Sequence, residues 1–312
     1  MRRGRPSTPT ACRPAAARAA TGGRCVLARG AIGRCALIVL LLAAATDAAP
    51  ETERRVPFVL ELRNTTSAVI DSAEVGVFVP VASAVGQRCC RALAASLPFE
   101  TLSDAAGNQA LRLRIERLAP RAVRVVRVTA TAVLDPAAGP SRPPDAAGLR
   151  AAEPLMQADS VPIRRLAQRL RADSDLATAR RTLHWVSDNL RYSGYRRGAA
   201  GALAALASGQ GDCTEYMHLF IALARANGLP AVPMAGYVLK RAALPSAAGL
   251  HNWAEVYADG RWLIADPQRG YLGDAGQRYL ATRVLVPSAA SAWPADAVRF
   301  WVSGSGLEAR LR

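Results

Sequence analysis

The apolar residues of this chain change their period once, and that change divides what the chain can fold into. From about residue 55 to 134 they alternate, as in Val56, Phe58, Leu60 and Leu62, or Leu111, Leu113 and Ile115 against Arg112, Arg114 and Glu116. A period of two puts one face of an extended strand in a core and the other in water. Val75-Gly76-Val77-Phe78-Val79 adds a strand, and Asp104-Ala105-Ala106-Gly107-Asn108 supplies turn chemistry. Short strands, frequent turns and no long helical pattern predict a small all-β, sandwich-like domain over residues 50–135. Asp135-Pro136, Gly139-Pro140, Pro143-Pro144 and Glu153-Pro154 then interrupt every periodic pattern, so residues 136–158 read as a linker.

Beyond the linker the period becomes helical. Ile163, Leu166, Ala167 and Leu170 share one face after Ser160, which is placed as a cap. Ala179, Leu183, Val186 and Leu190 form a second stripe after Ser174. A third helix starts at or just before Cys213, carries Tyr216, Met217, Phe220, Leu223 and Ala224, and ends at Asn227-Gly228. Strand-like segments follow at Ala231 to Leu239, His251 to Tyr257, Arg261 to Ala265 and Arg283 to Val286. Helices followed by an antiparallel meander predict an α+β domain over residues 159–312, its helices packed on an antiparallel sheet.

The first 48 residues read as an export signal. Arg34 precedes the apolar run Ala36 to Ala45, and small residues around Ala48-Ala49 suit cleavage. The run is about ten residues, where a bilayer span needs roughly twenty. The expectation is an exported protein, periplasmic or extracellular, with no stable membrane span unless the signal is uncleaved. The formal charge of +16 suggests nucleic acid at first sight. Eight arginines against Asp47 fall within residues 1–50, however, and the rest are scattered among alanines, with Lys240 the one lysine. No aromatic-interleaved basic motif accompanies them, so no nucleic-acid partner is expected.

Cleavage of the signal would leave Cys89, Cys90 and Cys213 of the six cysteines. A disulfide between neighbours departs from preferred geometry, so no disulfide framework is expected and Cys213 is the thiol kept free. Gly209-Gln210-Gly211-Asp212-Cys213 leads into the third helix. A cysteine there meets unpaired backbone amides and the positive helix end, which favour a thiolate and can hold a developing oxyanion.

Three histidines compete as its base. His218, five residues along the same helix, lies about 140° round the axis and cannot face the thiol; it is expected at the surface or as a satisfied core histidine. His184 has Asp188 at i+4 for a surface pair. His251 begins the segment His251-Asn252-Trp253-Ala254-Glu255-Val256-Tyr257, which runs into the hairpin dipeptide Asp259-Gly260 and returns as Arg261 to Asp266 before Pro267. Centring the turn on Asp259-Gly260 sets Asp266 opposite Trp253, diagonal to His251 on the same face. Diagonal neighbours are roughly 7–8 Å apart at the backbone, within reach of a His–Asp hydrogen bond. A slip of one residue would send Asp266 to the other face. The expected triad is Cys213 as nucleophile, His251 as base and Asp266 as its orienter.

These blocks resemble the bacterial transglutaminase-like superfamily. Gly211-Asp212-Cys213-Thr214-Glu215 with Leu223 to Pro230 is similar to its cysteine helix. Trp185-Val186 through Asn189 and Tyr192 is similar to the upstream companion helix. His251 to Val256 and Trp262 to Pro267 are similar to its histidine and aspartate strands. Gln268 departs from the threonine often found there. The resemblance covers roughly residues 160 to 290 and implies a papain-like fold with the thiol helix on an antiparallel sheet. It implies acyl transfer on peptide or glutamine amides through a thioester, with a protein or peptide substrate and neither cofactor nor metal. Hydrolysis is favoured over cross-linking, since no amine-recognition feature is visible. Gln210 is a candidate oxyanion donor, and Trp253 and Tyr237 are candidates to wall the acyl cleft. The competing class is a non-catalytic binding or scaffold protein of the cell envelope.

Overall fold

A computed structural model describes residues 51–196, 198–239, 249–274, 278–285, 293–294 and 297–312. The expected export signal lies outside the described residues. Seven strands come first: β1 (Thr52–Asn64), β2 (Ile70–Val79), β3 (Ser83–Ala84), β4 (Gln87–Ala95), β5 (Phe99–Ser103), β6 (Gln109–Leu118) and β7 (Val123–Leu134). Then come α1 (Val161–Leu170), α2 (Asp175–Asn189), β8 (Arg191–Tyr192), α3 (Ala202–Ser208), β9 (Gln210–Gly211) and α4 (Cys213–Ala226). The chain ends with β10 (Ala231–Val238), β11 (Leu250–Ala258), β12 (Arg261–Asp266), β13 (Tyr271–Gly273), β14 (Tyr279–Val284), β15 (Phe300–Ser303) and β16 (Leu307–Leu311).

The α+β class and the N-terminal all-β region are as the two periods predict. Strands in the order β16-β1-β7-β4-β3 face a second sheet ordered β15-β2-β6-β5. Val56, Phe58, Leu60 and Leu62 of β1 meet Val75, Val77, Leu111, Leu113 and Ile115 of the other sheet in one core. That packing is what alternation demands of two sheets face to face. The expected domain boundary needs correcting at its C-terminal end. β16 pairs with β1, Leu60 to Leu311, and β15 with β2, Val77 to Phe300. The last strands therefore complete the N-terminal sheets rather than the helical domain, because alternation shows that a strand is half-buried but not which sheet it joins.

A third sheet, ordered β13-β12-β11-β10-β14, is antiparallel and holds the middle of the molecule. On one face Ala231, Ala254, Val256, Leu263 and Ala265 pack under the helices, with Ile163, Leu183, Val186, Leu219 and Phe220. On the other face Val232, Met234, Trp253, Ile264 and Tyr279 meet Val81, Ala84 and Val85 of the sandwich and Leu149 of the linker. Burial from both sides explains why β10 from Ala231 to Tyr237 shows no polar alternation. α3 was not expected from the sequence: it is a seven-residue alanine-rich helix between Gly201 and Gly209, too short to carry a readable period.

Candidate active site

The hairpin forms in the expected register. Asp259 and Gly260 both take positive φ, 46° and 82°, as a type I′ turn requires. The ladder then runs from Ala258 opposite Arg261 to Ala254 opposite Ala265. It delivers His251 and Asp266 into a hydrogen bond, Nε2 to Oδ2 at 2.7 Å. An ionised carboxylate only accepts, so Nε2 is the donor in this bond and Nδ1 is the ring nitrogen that the bond leaves available. Both residues are buried, Asp266 completely.

Cys213 opens α4, and the residues around it are spent on holding the helix end. Asp212 caps it, accepting the Thr214 N–H at 2.8 Å, while the Glu215 carboxylate reaches back to the Asp212 N–H at 3.1 Å. The two carboxylates also pin the preceding segment: Asp212 accepts from the Arg196 N–H and Glu215 from the Ala200 N–H. Gly211 is required by this packing, since a Cβ there would fall on the Glu215 side chain. Strand β11 meets the helix end through Asn252, whose side-chain amide donates to Thr214 Oγ1 at 3.0 Å. The Asn252 backbone N–H lies close enough to the Cys213 thiol to favour its anion. The nucleophile candidate therefore lies at the residue that follows His251.

Its resting electrostatics differ from the expectation of a thiolate. Burial pushes the half-buried thiol above the usual cysteine pKa, more than the Asn252 N–H and the Thr214 hydroxyl pull it down, and Asp212 and Asp266 push the same way as burial. The capping box has taken first-turn amides that would otherwise favour the anion.

The other sequence candidates fall elsewhere. Trp253 is 1% exposed, its ring edge-on to Tyr279 at 5.2 Å and stacked below His251 at 6.4 Å, so it supports the histidine from within the core and walls no cleft. Tyr237 is buried against Phe58 and the sandwich core and walls no cleft either. Aromatic residues in a sheet covered on both faces have no cleft to line. Gln210 sits half-buried in β9, its amide oxygen accepting from Arg191 Nη2 at 3.0 Å. His218 is neither at the surface nor satisfied: it is buried with Nδ1 unpartnered, and desolvation drives its pKa down to about 4. His184 is exposed on α2. Cys89 and Cys90 lie side by side in β4, where the β4–β7 register breaks between Arg88 and Ala92. Cys213 is the free thiol among the described residues.

Sequence reasoning missed Tyr279 and Arg269. Tyr279 Oη donates to Asp266 Oδ2 at 2.8 Å, and the Arg269 backbone N–H donates to Oδ1 at 3.2 Å. Arg269 follows Asp266 by three residues and was findable; Tyr279 arrives from β14, and no local signal announces it. Among the described residues no group of three or more His, Cys, Asp or Glu side chains could hold a metal ion.

Comparison with known proteins agrees with this geometry. The family model described as the transglutaminase-like superfamily matches residues 164–267, which span α1 to the end of β12. No curated protein matches the chain. Among solved structures, a candidate cysteine protease from Cytophaga hutchinsonii superposes with a TM-score of 0.53 at 18% identity, covering 84% of this chain and 92% of that one. The periplasmic domain of TgpA from Pseudomonas aeruginosa gives a TM-score of 0.33 at 15% identity, covering 68% and 88%. The Cytophaga likeness extends over the sandwich as well as the helical core, and at that identity it speaks for the fold alone. Residues 164–267 thus match the pattern of the transglutaminase-like superfamily, and in that segment the thiol helix lies on an antiparallel sheet.

Proposed function

We propose that the protein is an exported cysteine enzyme that transfers acyl groups from peptide or glutamine amides through a Cys213 thioester, with water as the usual acceptor. The observation that carries this reading is the buried His251–Asp266 bond of 2.7 Å, on a strand whose next residue, Asn252, bonds Thr214 at the helix end that carries the free Cys213 thiol. With Nε2 held by Asp266, Nδ1 is the nitrogen left to take the thiol proton. The sulfur then adds to the amide carbonyl carbon. The Cys213 N–H, in the first turn of α4, would receive the oxyanion. As the C–N bond breaks, the imidazolium returns its proton to the leaving amine and a thioester remains. Water, losing a proton to His251, resolves it to a carboxylic acid and restores the thiol. A buried thiol with a raised pKa suits a base that acts during attack rather than a stored thiolate.

Export is supported by the apolar run before Ala48-Ala49, and among the described residues no helix is long and apolar enough to cross a membrane. N-terminal sequencing of protein from an envelope fraction should find a start near Ala49; an intact Met1 in the cytoplasm would contradict it.

Catalysis is tested with a thiol-reactive amide probe followed by a peptide-library digest. Label should appear on the Cys213 peptide. Cys213→Ser and His251→Ala should each lower any amidase or transferase rate by at least about a thousandfold, and the double variant should be scarcely worse than either. Cys89→Ala and Cys90→Ala should stay within about a few fold of wild type, since neither acts on the triad. Full biological activity in Cys213→Ser cells would make the core a scaffold and end the enzyme reading.

A further inference from the structure

Asp266 has more partners than a histidine orienter needs, and their arrangement is specific. It has no exposed surface. Its Oδ2 takes His251 Nε2 at 2.7 Å and Tyr279 Oη at 2.8 Å, one donor for each lone pair. Its Oδ1 takes the Arg269 N–H at 3.2 Å. The Arg269 guanidinium stands nearby, Nε 3.5 Å from Oδ2, on a side chain that is 52% exposed. That guanidinium is a competitor. A carboxylate free to turn about its Cβ–Cγ bond would offer both oxygens to the arginine fork, a stronger arrangement than one bond to an imidazole. His251 would then lose the partner that sets its tautomer.

The geometry points to Tyr279 as a positioning residue of this site: its hydroxyl holds Asp266 Oδ2 on His251 and keeps the carboxylate from turning to Arg269. The inference rests on the Cys213–His251–Asp266 reading and extends it to a residue outside the family-matched segment, which ends at 267. Tyr279 is built for such a role. Gly236 lies directly opposite His251, and Ala281 opposite Gly236, so Tyr279, two residues before Ala281, projects from the same face of the sheet. Its ring is wedged edge-on against Trp253 at 5.2 Å and stacked on Tyr271 at 5.6 Å. Trp253 in turn lies under His251. Base, orienter and hydroxyl are thus fixed against one row of aromatic rings. Burial and the neighbouring Asp266 charge push the Tyr279 hydroxyl well above the usual tyrosine pKa, so it remains a donor whenever Asp266 is ionised.

The test uses the full chain and iodoacetamide, with alkylation read by mass spectrometry on the Cys213 peptide at neutral pH. Wild type should react at least about tenfold faster than His251→Ala, and Tyr279→Phe, which keeps the ring contacts, should lose about tenfold. Tyr271→Phe, whose hydroxyl donates to the Asp274 carbonyl rather than to Asp266, should match wild type. The downfield proton resonance of His251 Nε2–H should shift or broaden in Tyr279→Phe and stay in place in Tyr271→Phe. Adding Arg269→Ala to Tyr279→Phe should restore most of the lost rate, since the competitor is gone; that rescue cannot come from a damaged fold. A Tyr279→Phe protein within about twofold of wild type, with an unmoved resonance, overturns the inference and leaves the triad standing. A slow Tyr279→Phe protein that Arg269→Ala does not rescue also overturns it. Wild type no faster than His251→Ala removes the Cys–His pair, and this inference with it.

Discussion

Opposite His251 on β10 stands Gly236, and the absence of a side chain there is a spatial requirement. A Cβ would fall on the Leu280 carbonyl oxygen and lie 2.8 Å from the Trp253 ring and 2.9 Å from the Ala281 Cα. Two of those three obstacles are backbone of β14 and cannot swing aside. Gly236→Ala should therefore destabilise the fold by about 1–3 kcal/mol, the range for overpacking a filled core. It should also tilt Trp253 and slow Cys213 labelling. A urea midpoint unchanged from wild type would show that β14 can yield. The thiol gives a second prediction, with the sign set by burial. In His251→Ala the base is gone while the desolvation that raises the Cys213 pKa remains. At any given pH less thiolate is present than for an unburied cysteine, so the alkylation profile should have its midpoint above that of a free cysteine peptide. A midpoint below it would mean that the helix end outweighs burial after all.

What was legible in the sequence was local. The hairpin could be registered because Asp259-Gly260 fixes both the turn type and the pairing, and His251–Asp266 followed from that alone. The start of α4 was read from the glycine-rich segment before Cys213, and the capping box of Asp212 and Glu215, three residues apart, is a further local signal of it. Whatever depends on a distant strand was not legible. Tyr279 reaches Asp266 only because β14 lies beside β10, and Trp253 and Tyr237 are core only because residues of the sandwich pack against them. His218 was misplaced for a related reason. α4 is buried on every side from Glu215 to Arg225, and a helix without a polar face gives periodicity nothing to orient. The burial of His218 has a consequence for pH. Its pKa falls from 6.5 to about 4 on folding, so between those values the unfolded chain binds a proton that the folded one refuses. Stability contributed by the neutral ring is complete above about pH 6.5 and is lost as pH falls toward 4, on the order of 3 kcal/mol in all. His218→Leu should flatten that loss. Thermal midpoints at pH 7.5 and 5 would check it; an equal drop in wild type and variant would place the acid sensitivity elsewhere.

Across the whole molecule, the sandwich and the helical core are joined as tightly as layers of one fold. Gln87 of β4 acts as an extra rung on β14: its side chain accepts the Ala281 N–H at 2.8 Å and donates to the Ala281 carbonyl at 3.0 Å. Asn108 does the same at Val284, 2.6 and 3.1 Å. Glu255, four residues beyond His251 and 1% exposed, accepts the Val85 N–H at 2.8 Å and pairs with Arg142 of the linker at 2.7 Å. β15 and β16 then return to pair with β2 and β1, so the chain crosses between the layers a second time. Removing the sandwich and the linker would leave a buried carboxylate without its arginine, and polar backbone of β14 without its side-chain partners. Each such loss costs about 1–3 kcal/mol, more for the charge, against a typical total stability of only about 5–15 kcal/mol. It would also bare Val232, Met234, Trp253 and Tyr279 to water and strand β15 and β16 without a sheet. A fragment of residues 159–312, the unit that sequence texture alone suggests, should therefore fail to fold, whereas residues 51–312 should fold. Near-ultraviolet circular dichroism and amide NMR dispersion distinguish the outcomes. Gln87→Ala in the longer protein tests the same coupling more gently, and should cost about 1–3 kcal/mol by removing the side-chain partner of the buried Ala281 N–H, while the Ala281 carbonyl keeps the Val81 N–H. If the fragment gives a dispersed spectrum and a labelled Cys213, the helical core stands alone and the sandwich is an appendage to it.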